Sequence, residues 1–314
     1  MTLPLSTGPH ILGKRTTRGI MLDVLIALTP AAAAGVYLFG VRAAWVLGVA
    51  VASAVATEAL WQRLSHRPLQ VGDLSAVVTG LLLGLNLPSS APLWLAAVGS
   101  AFAIVVVKQL FGGIGHNFLN PALAARAVLL TSWPARMTTF FLPERTLLPV
   151  ASTAMVGDAV TSATPLVKSG TAMIDLFWGN IPGTIGEVCK AAILIGFIYL
   201  LVRNVIGPHI PVLFVGTVAL MTWLLGGDPL TAILSGGVLL GAVFMATDYV
   251  TNPMLIVSQC LFAALCGVIV VVIRQSAGGY PEGVTYAILL MNVLTPLLDK
   301  LFKRRAYGEV KQRA

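Results

Sequence analysis

Long, nearly uncharged apolar runs recur along almost the whole of this chain, and they constrain its fold more than any other feature. Only 10% of the residues are charged and 57% are hydrophobic, against about 25% charged in a typical soluble domain. A soluble fold of this length could not hide so much apolar surface, so lipid must be the solvent. The runs read approximately 20–40, 43–61, 74–88, 93–111 and 121–133, then, beyond a long polar loop, 188–205, 211–225, 229–247, 254–273 and 285–302. They predict an all-α polytopic membrane protein of about ten helices. The chain divides into a first transmembrane half (1–133), an outer loop (134–187) and a second half with a basic tail (188–314). The runs at Leu74 and Pro121 are short for a crossing, and short or interrupted segments often line a binding cavity.

The net charge of +8 does not point to nucleic acid, because the basic residues flank the apolar runs and mark topology instead. With the N-terminus in the cytoplasm, Lys14, Arg15, Arg18, Arg63, Arg67, Lys108, Arg203 and the tail cations fall inside. Arg42, Arg136, Arg145, Lys168, Lys190 and Arg274 fall outside. That asymmetry obeys the positive-inside rule with both termini cytoplasmic and the long loop on the outer face. No cleavable signal peptide is expected, since Met1–Gly19 is polar and basic.

Two halves echo one another. Leu74-Ser75-Ala76-Val77-Val78-Thr79-Gly80 aligns without gaps on Leu230-Thr231-Ala232-Ile233-Leu234-Ser235-Gly236, each just after an aspartate. The copies fall in the third and eighth spans, an odd step of five, so they face opposite ways, the pattern of two inverted five-helix repeats. Chance likeness between apolar helices is the alternative. Cys189, Cys260 and Cys266 lie in apolar segments without a paired motif and read as small core residues rather than cluster ligands. The four histidines are too scattered to form a ligand set.

The polar loop carries Asp158-Ala159-Val160-Thr161-Ser162-Ala163-Thr164-Pro165-Leu166. Read as D-x-x-[ST]-x-A-T, it resembles the flavin-attachment motif of the Rnf and Nqr respiratory complexes, with Ser162 where glycine is frequent. Three further stretches, 112–126, 245–253 and 278–292, are similar to the NqrB/RnfD family, which joins a membrane subunit of the Rnf complex to its paralogue in the sodium-pumping NADH:quinone reductase. The four occur in the family's order, and the short N-terminal extension favours the Rnf side.

The resemblance implies a subunit of a ferredoxin:NAD oxidoreductase in the bacterial cytoplasmic membrane, coupled to Na+ or H+ movement and not catalytic alone. It implies FMN joined by a phosphoester to Thr164, a flavin transferase for maturation, partner subunits with iron–sulfur clusters and a second flavin, and noncovalent riboflavin in this subunit. A fixed flavin takes one or two electrons, which suits a relay between clusters and two-electron carriers. Asn117, Asn120 and Arg126 are candidate riboflavin contacts. Glycines 112, 113 and 115 permit close backbone approach, and Pro121 suits the first turn of a helix whose positive end faces the ligand. A helix cap with packing glycines is the plainer reading. Arg126, inside a run, needs a carboxylate, a cofactor or a wet cavity. Asp23, Glu58 and Asp248 lie in or near apolar segments; Asp23 and Asp248 are candidates for an ion path, and an interfacial position is the alternative for all three. A channel or carrier for a small polar solute, or a scaffold for partner subunits, would share the bundle but would not need the flavin loop.

Overall fold

A computed structural model of the protein describes residues 16–141, 143, 173–276 and 283–302. Thr164 and its motif, and the 278–282 part of the third family-like stretch, lie outside the described residues. Helices α1 (Thr17–Phe39), α2 (Val41–Leu64), α3 (Ser75–Leu85), α4 (Leu93–Phe102) and α5 (Pro121–Ser132) build the first half, and a short α6 (Pro134–Met137) follows. After α7 (Met173–Trp178) come α8 (Lys190–Val202), α9 (His209–Leu224), α10 (Pro229–Leu234), α11 (Val238–Leu240), α12 (Ile256–Ser276) and α13 (Gly283–Leu301). Two stretches are π-helical: Ala103–Gln109 continues α4, and Gly241–Met245 continues α11.

The protein is an all-α, multi-pass membrane protein. Helices α1, α2, α12 and α13 are each long and apolar enough to cross a bilayer, and shorter apolar helices pack among them. Large apolar side chains such as Trp45, Ile195, Val212, Trp223 and Val257 are exposed on the perimeter, as a lipid-facing surface requires.

Where membrane helices cannot rely on apolar burial to associate, small residues let backbones approach. A Cβ added at Gly196 of α8 would collide with the Ala27 carbonyl oxygen of α1, and one at Gly80 of α3 would stand 2.7 Å from that of Ala50 in α2. Pro30 removes the N–H that would bond the Ile26 carbonyl, and the Thr29 hydroxyl donates to that oxygen instead, 2.6 Å away.

The structure departs from the sequence-based segments at two breaks. The run 229–247 is not one helix: α10 ends at Leu234, and Gly236 takes a left-handed turn at φ 66° before α11. Arg274 of α12 donates to the freed carbonyls of Ala232 (2.8 Å) and Ser235 (3.2 Å). The run 74–88 stops at Leu85, where Asn86 Nδ2 donates to the Leu82 carbonyl, 2.6 Å. The backbone beyond is satisfied from an unexpected source. Ile185 N–H donates to Leu87 O (3.0 Å) and Gly186 N–H to Leu85 O (2.8 Å). Residues 181–187, expected within the outer loop, and Val188 after them are therefore buried against the end of α3. Their apolar members Ile181, Ile185 and Val188 belong to the core. Lipid offers no hydrogen bonds, so a broken helix at this depth needs such a partner strand.

Candidate cofactor site

A cavity of about 100 Å3 lies between the two halves; small-molecule sites usually measure about 300–1,000 Å3, so a larger ligand would also have to occupy its mouth. The first turns of α1, α3 and α5, the end of α8 and the second π-helical stretch line it. Val24, Leu82 and Phe244 give it apolar walls, while Ser75, Thr79, Lys108, Asn117, Asn120, Thr247 and Asp248 bring polar atoms to it.

Asn117 and Asn120, the candidate riboflavin contacts, both line the cavity, but Asn120 is also structural. Its Oδ1 caps α5 by accepting from Ala122 N–H (3.1 Å) and Leu123 N–H (3.3 Å), and Nδ2 donates to the Met245 carbonyl (3.4 Å). With its amide oriented to satisfy both neighbours, Asn292 accepts from Asn120 N–H, 3.2 Å, and donates to the Ile288 carbonyl, 3.3 Å. Asn120 thus ties α5, the second π-helical stretch and α13 together. Asn117 donates Nδ2 to the Leu119 carbonyl at 3.0 Å; its amide oxygen accepts no hydrogen bond among the described residues and is available to a ligand. The glycines just before them do adopt φ values of 119°, 99° and 86° at 112, 113 and 115, conformations that favour glycine.

Arg126 does not line the cavity. It lies one turn beyond Ala122, buried, with Nη1 donating to Asn86 Oδ1 at 2.6 Å. Asn86 itself lies one turn beyond Leu82, so this pair backs the inner end of the cavity.

Glu58 and Lys108 are not interfacial. Both are buried and form an ion pair at 2.7 Å. The first π-helical stretch turns Lys108 and Gln109 together toward Glu58, and Gln109 Nε2 donates to the same oxygen at 2.7 Å. Lys108 also donates to the Ser75 hydroxyl (2.6 Å), which donates to Asp73 Oδ1 (2.6 Å). A polar chain from Glu58 to Asp73 therefore runs along one wall of the cavity. Lys190, read from sequence as an outer topology mark, is fully buried and donates to the Glu187 carbonyl. Arg274, read the same way, is the carbonyl clamp on α10 described above.

Of the two acids assigned to an ion path, Asp248 lines the cavity and accepts from Val250 N–H (3.4 Å) and the Thr251 hydroxyl (3.3 Å). Asp23 turns instead to α8, accepting from the Tyr199 hydroxyl (3.0 Å) and from Arg203 Nε (3.2 Å). The structure does not bond them to one another among the described residues. Nor do the described residues contain a cluster of three His, Cys, Asp or Glu side chains able to hold a metal.

The lining combines apolar walls with hydroxyl, amide, carboxylate and ammonium groups, the mixture that orients a small ligand.

Comparison with known proteins adds the lineage. The model of the NQR2, RnfD, RnfE family matches residues 4–308. One subunit of the Na(+)-translocating ferredoxin:NAD(+) oxidoreductase complex of Acetobacterium woodii is 47% identical over 99% of this chain and 97% of its own length. The corresponding subunit of the proton-translocating ferredoxin:NAD(+) oxidoreductase complex of Clostridium ljungdahlii is 39% identical over 97% and 96%. That of the ion-translocating oxidoreductase complex of Cronobacter sakazakii is 36% identical over 98% and 99%. Matched from end to end rather than at one motif, the chain belongs to the NQR2, RnfD, RnfE family.

Proposed function

We propose that this chain is the membrane-embedded flavin subunit of an ion-translocating ferredoxin:NAD oxidoreductase complex. The observation that carries the reading is the near-complete alignment with the two ferredoxin:NAD(+) complex subunits, joined to the D-x-x-[ST]-x-A-T sequence ending at Thr164. Thr164 offers the hydroxyl for a phosphoester to FMN, formed by a flavin transferase. The cavity takes riboflavin, with Asn117 and Asn120 at its polar edge and Phe244 and Leu82 against its rings. Bound flavins supply the one- and two-electron chemistry. The protein supplies position: Asn120 fixes the cavity wall, Lys108 holds a charge there, and the apolar lining excludes bulk water.

The same reading places about ten crossings in two inverted repeats, both termini in the cytoplasm and the flavin loop outside. At the aligned positions Ser75 and Thr231 each donate a hydroxyl to a preceding carboxylate, Asp73 and Asp228, although only Asp228 caps its helix. Hydrogen bonds from the Thr231 hydroxyl and amide hold the Asp228 carboxyl below the usual carboxylate range. Iron–sulfur and second flavin subunits are the expected partners.

Denaturing the purified protein tests the cofactor assignment in two fractions. Released flavin should be riboflavin, and the tryptic fragment bearing Thr164 should carry the added mass of FMN. Asn117→Leu removes a polar edge group, so riboflavin retained through purification should fall by about tenfold, the equivalent of one hydrogen bond of about 1.4 kcal/mol, while the fragment mass stays the same. Unmodified fragment and no released flavin would return the chain to the carrier reading, which a polar cavity between broken helices also suits. For the ion path, Asp248→Asn in the intact complex should lower cation uptake into vesicles with both flavins retained; unchanged uptake removes Asp248 from the path.

A further inference from the structure

Tyr249 stands at the rim of the cavity. Of the residues that line the cavity it alone is exposed, 54%, while every other is buried or half-buried, so the opening lies past its ring. A charged pair beside it tells what the opening faces. Asp23 directly precedes Val24 of the lining, and Arg203 lies two residues before Val205 of the lining. The two pair at 3.2 Å, with the Arg203 side chain 56% exposed. Such a pair belongs at water rather than in hydrocarbon.

Two banks flank the opening, and each is fixed from behind. On one, left-handed Asn204 (φ 51°) turns the chain at the end of α8, and Val205 N–H donates to the Leu200 carbonyl at 2.9 Å. On the other, residues 248–254 are fastened to α13: the Thr295 hydroxyl donates to the Thr251 carbonyl (2.9 Å), and Met254 N–H donates to Asp299 Oδ1 (3.1 Å). The Tyr249 hydroxyl reaches across and donates to the Val205 carbonyl. A side chain therefore bars the gap, and it can change rotamer without disturbing either bank.

We propose that Tyr249 is a latch over the cavity. With its hydroxyl on Val205 the mouth is narrowed, and a ligand enters or leaves when that bond opens and the ring swings out. Size makes the step necessary. The cavity offers about 100 Å3, below the about 300 Å3 at which small-molecule sites usually begin. A ligand of that class fills the mouth as well and must pass the ring. The latch acts on access, so it stands whichever ligand the cavity takes.

A cysteine placed behind the ring tests this. Val78 is buried, lines the cavity and is close to cysteine in volume. In purified Val78→Cys protein, labelling by a small water-soluble methanethiosulfonate should quicken about five- to tenfold when Tyr249→Phe is added, the equivalent of one hydrogen bond of about 1–1.4 kcal/mol. Side-chain swings are fast, so the rate follows the open fraction. Cys266, buried in α12 and outside the lining, reports general loosening, and its rate should stay the same. Equal rates at position 78 with and without the tyrosine hydroxyl would overturn the proposal. So would a parallel rise at Cys266, or no labelling at 78 in either background. Should Val78→Cys fail to fold, Ala122→Cys, which lines the same space from α5, gives the same comparison.

Discussion

Thr164→Val should leave the chain dark in a denaturing gel where the wild type fluoresces at 32.9 kDa. Detergent denaturation strips any flavin held by packing or hydrogen bonds, so fluorescence that survives reports a covalent bond only. Valine nearly matches threonine in volume and branching but has no hydroxyl, so the loss reads the missing nucleophile rather than an altered shape. The effect is all or none, because a phosphoester is either made or not. Riboflavin released from the cavity should be unchanged in the same variant, since Asn117, Lys108 and Phe244 are untouched. A dark wild-type band from a host that possesses the transferase would end the covalent assignment while leaving the cavity's own ligand to be tested separately. Fluorescence persisting in Thr164→Val would move the attachment to another hydroxyl of the loop.

How much of this was readable beforehand depends on the range of the interaction. Helices followed from unbroken apolar composition, and the start of α5 followed from Asn120-Pro121, a side-chain cap with proline at the first helical position. Those signals lie within a few residues of what they control. The break at 235–237 was not readable, because Gly236-Gly237 within an apolar run also suits close helix packing. Only Arg274, reaching from α12 to the carbonyls of Ala232 and Ser235, makes ending the helix there tolerable.

Charge misled in a related way. Lys108, Lys190 and Arg274 sit near the ends of apolar runs, where the positive-inside rule counts them as surface marks. The structure shows each turned inward to a partner: Glu58, the Glu187 carbonyl and the α10 carbonyls. Arg126 was legible as a residue needing a partner, but the Asn86 amide that serves it is 40 positions away and invisible to local pattern. Asn117 and Asn120 were found in the cavity wall because glycine spacing and a helix start are local. Glu187 was missed because its meaning comes from burial beside α3, which no nearby residue announces.

That long-range wiring yields the second large effect. Lys108→Met should destabilise the protein by several kcal/mol, because removing one partner of a buried pair typically costs about 3–5 kcal/mol. Glu58 would keep its hydrogen bond from Gln109 but would lose the ammonium 2.7 Å away, with Oε2 still without a partner among the described residues. The double variant Glu58→Leu, Lys108→Met removes both charges and fills similar volume with apolar atoms, so most of the loss should return. Thermal inactivation of purified protein at a fixed temperature measures both as half-lives: the single variant short, the double near wild type. Because Lys108 also lines the cavity, retained riboflavin should fall in both variants if its ammonium serves the ligand, and only in the single variant if its role is confined to the fold. A single variant as long-lived as the wild type would mean that water screens the pair. A double variant no better than the single would mean that Glu58 and Lys108 act through Gln109 and Ser75 as one network rather than as an exchangeable pair.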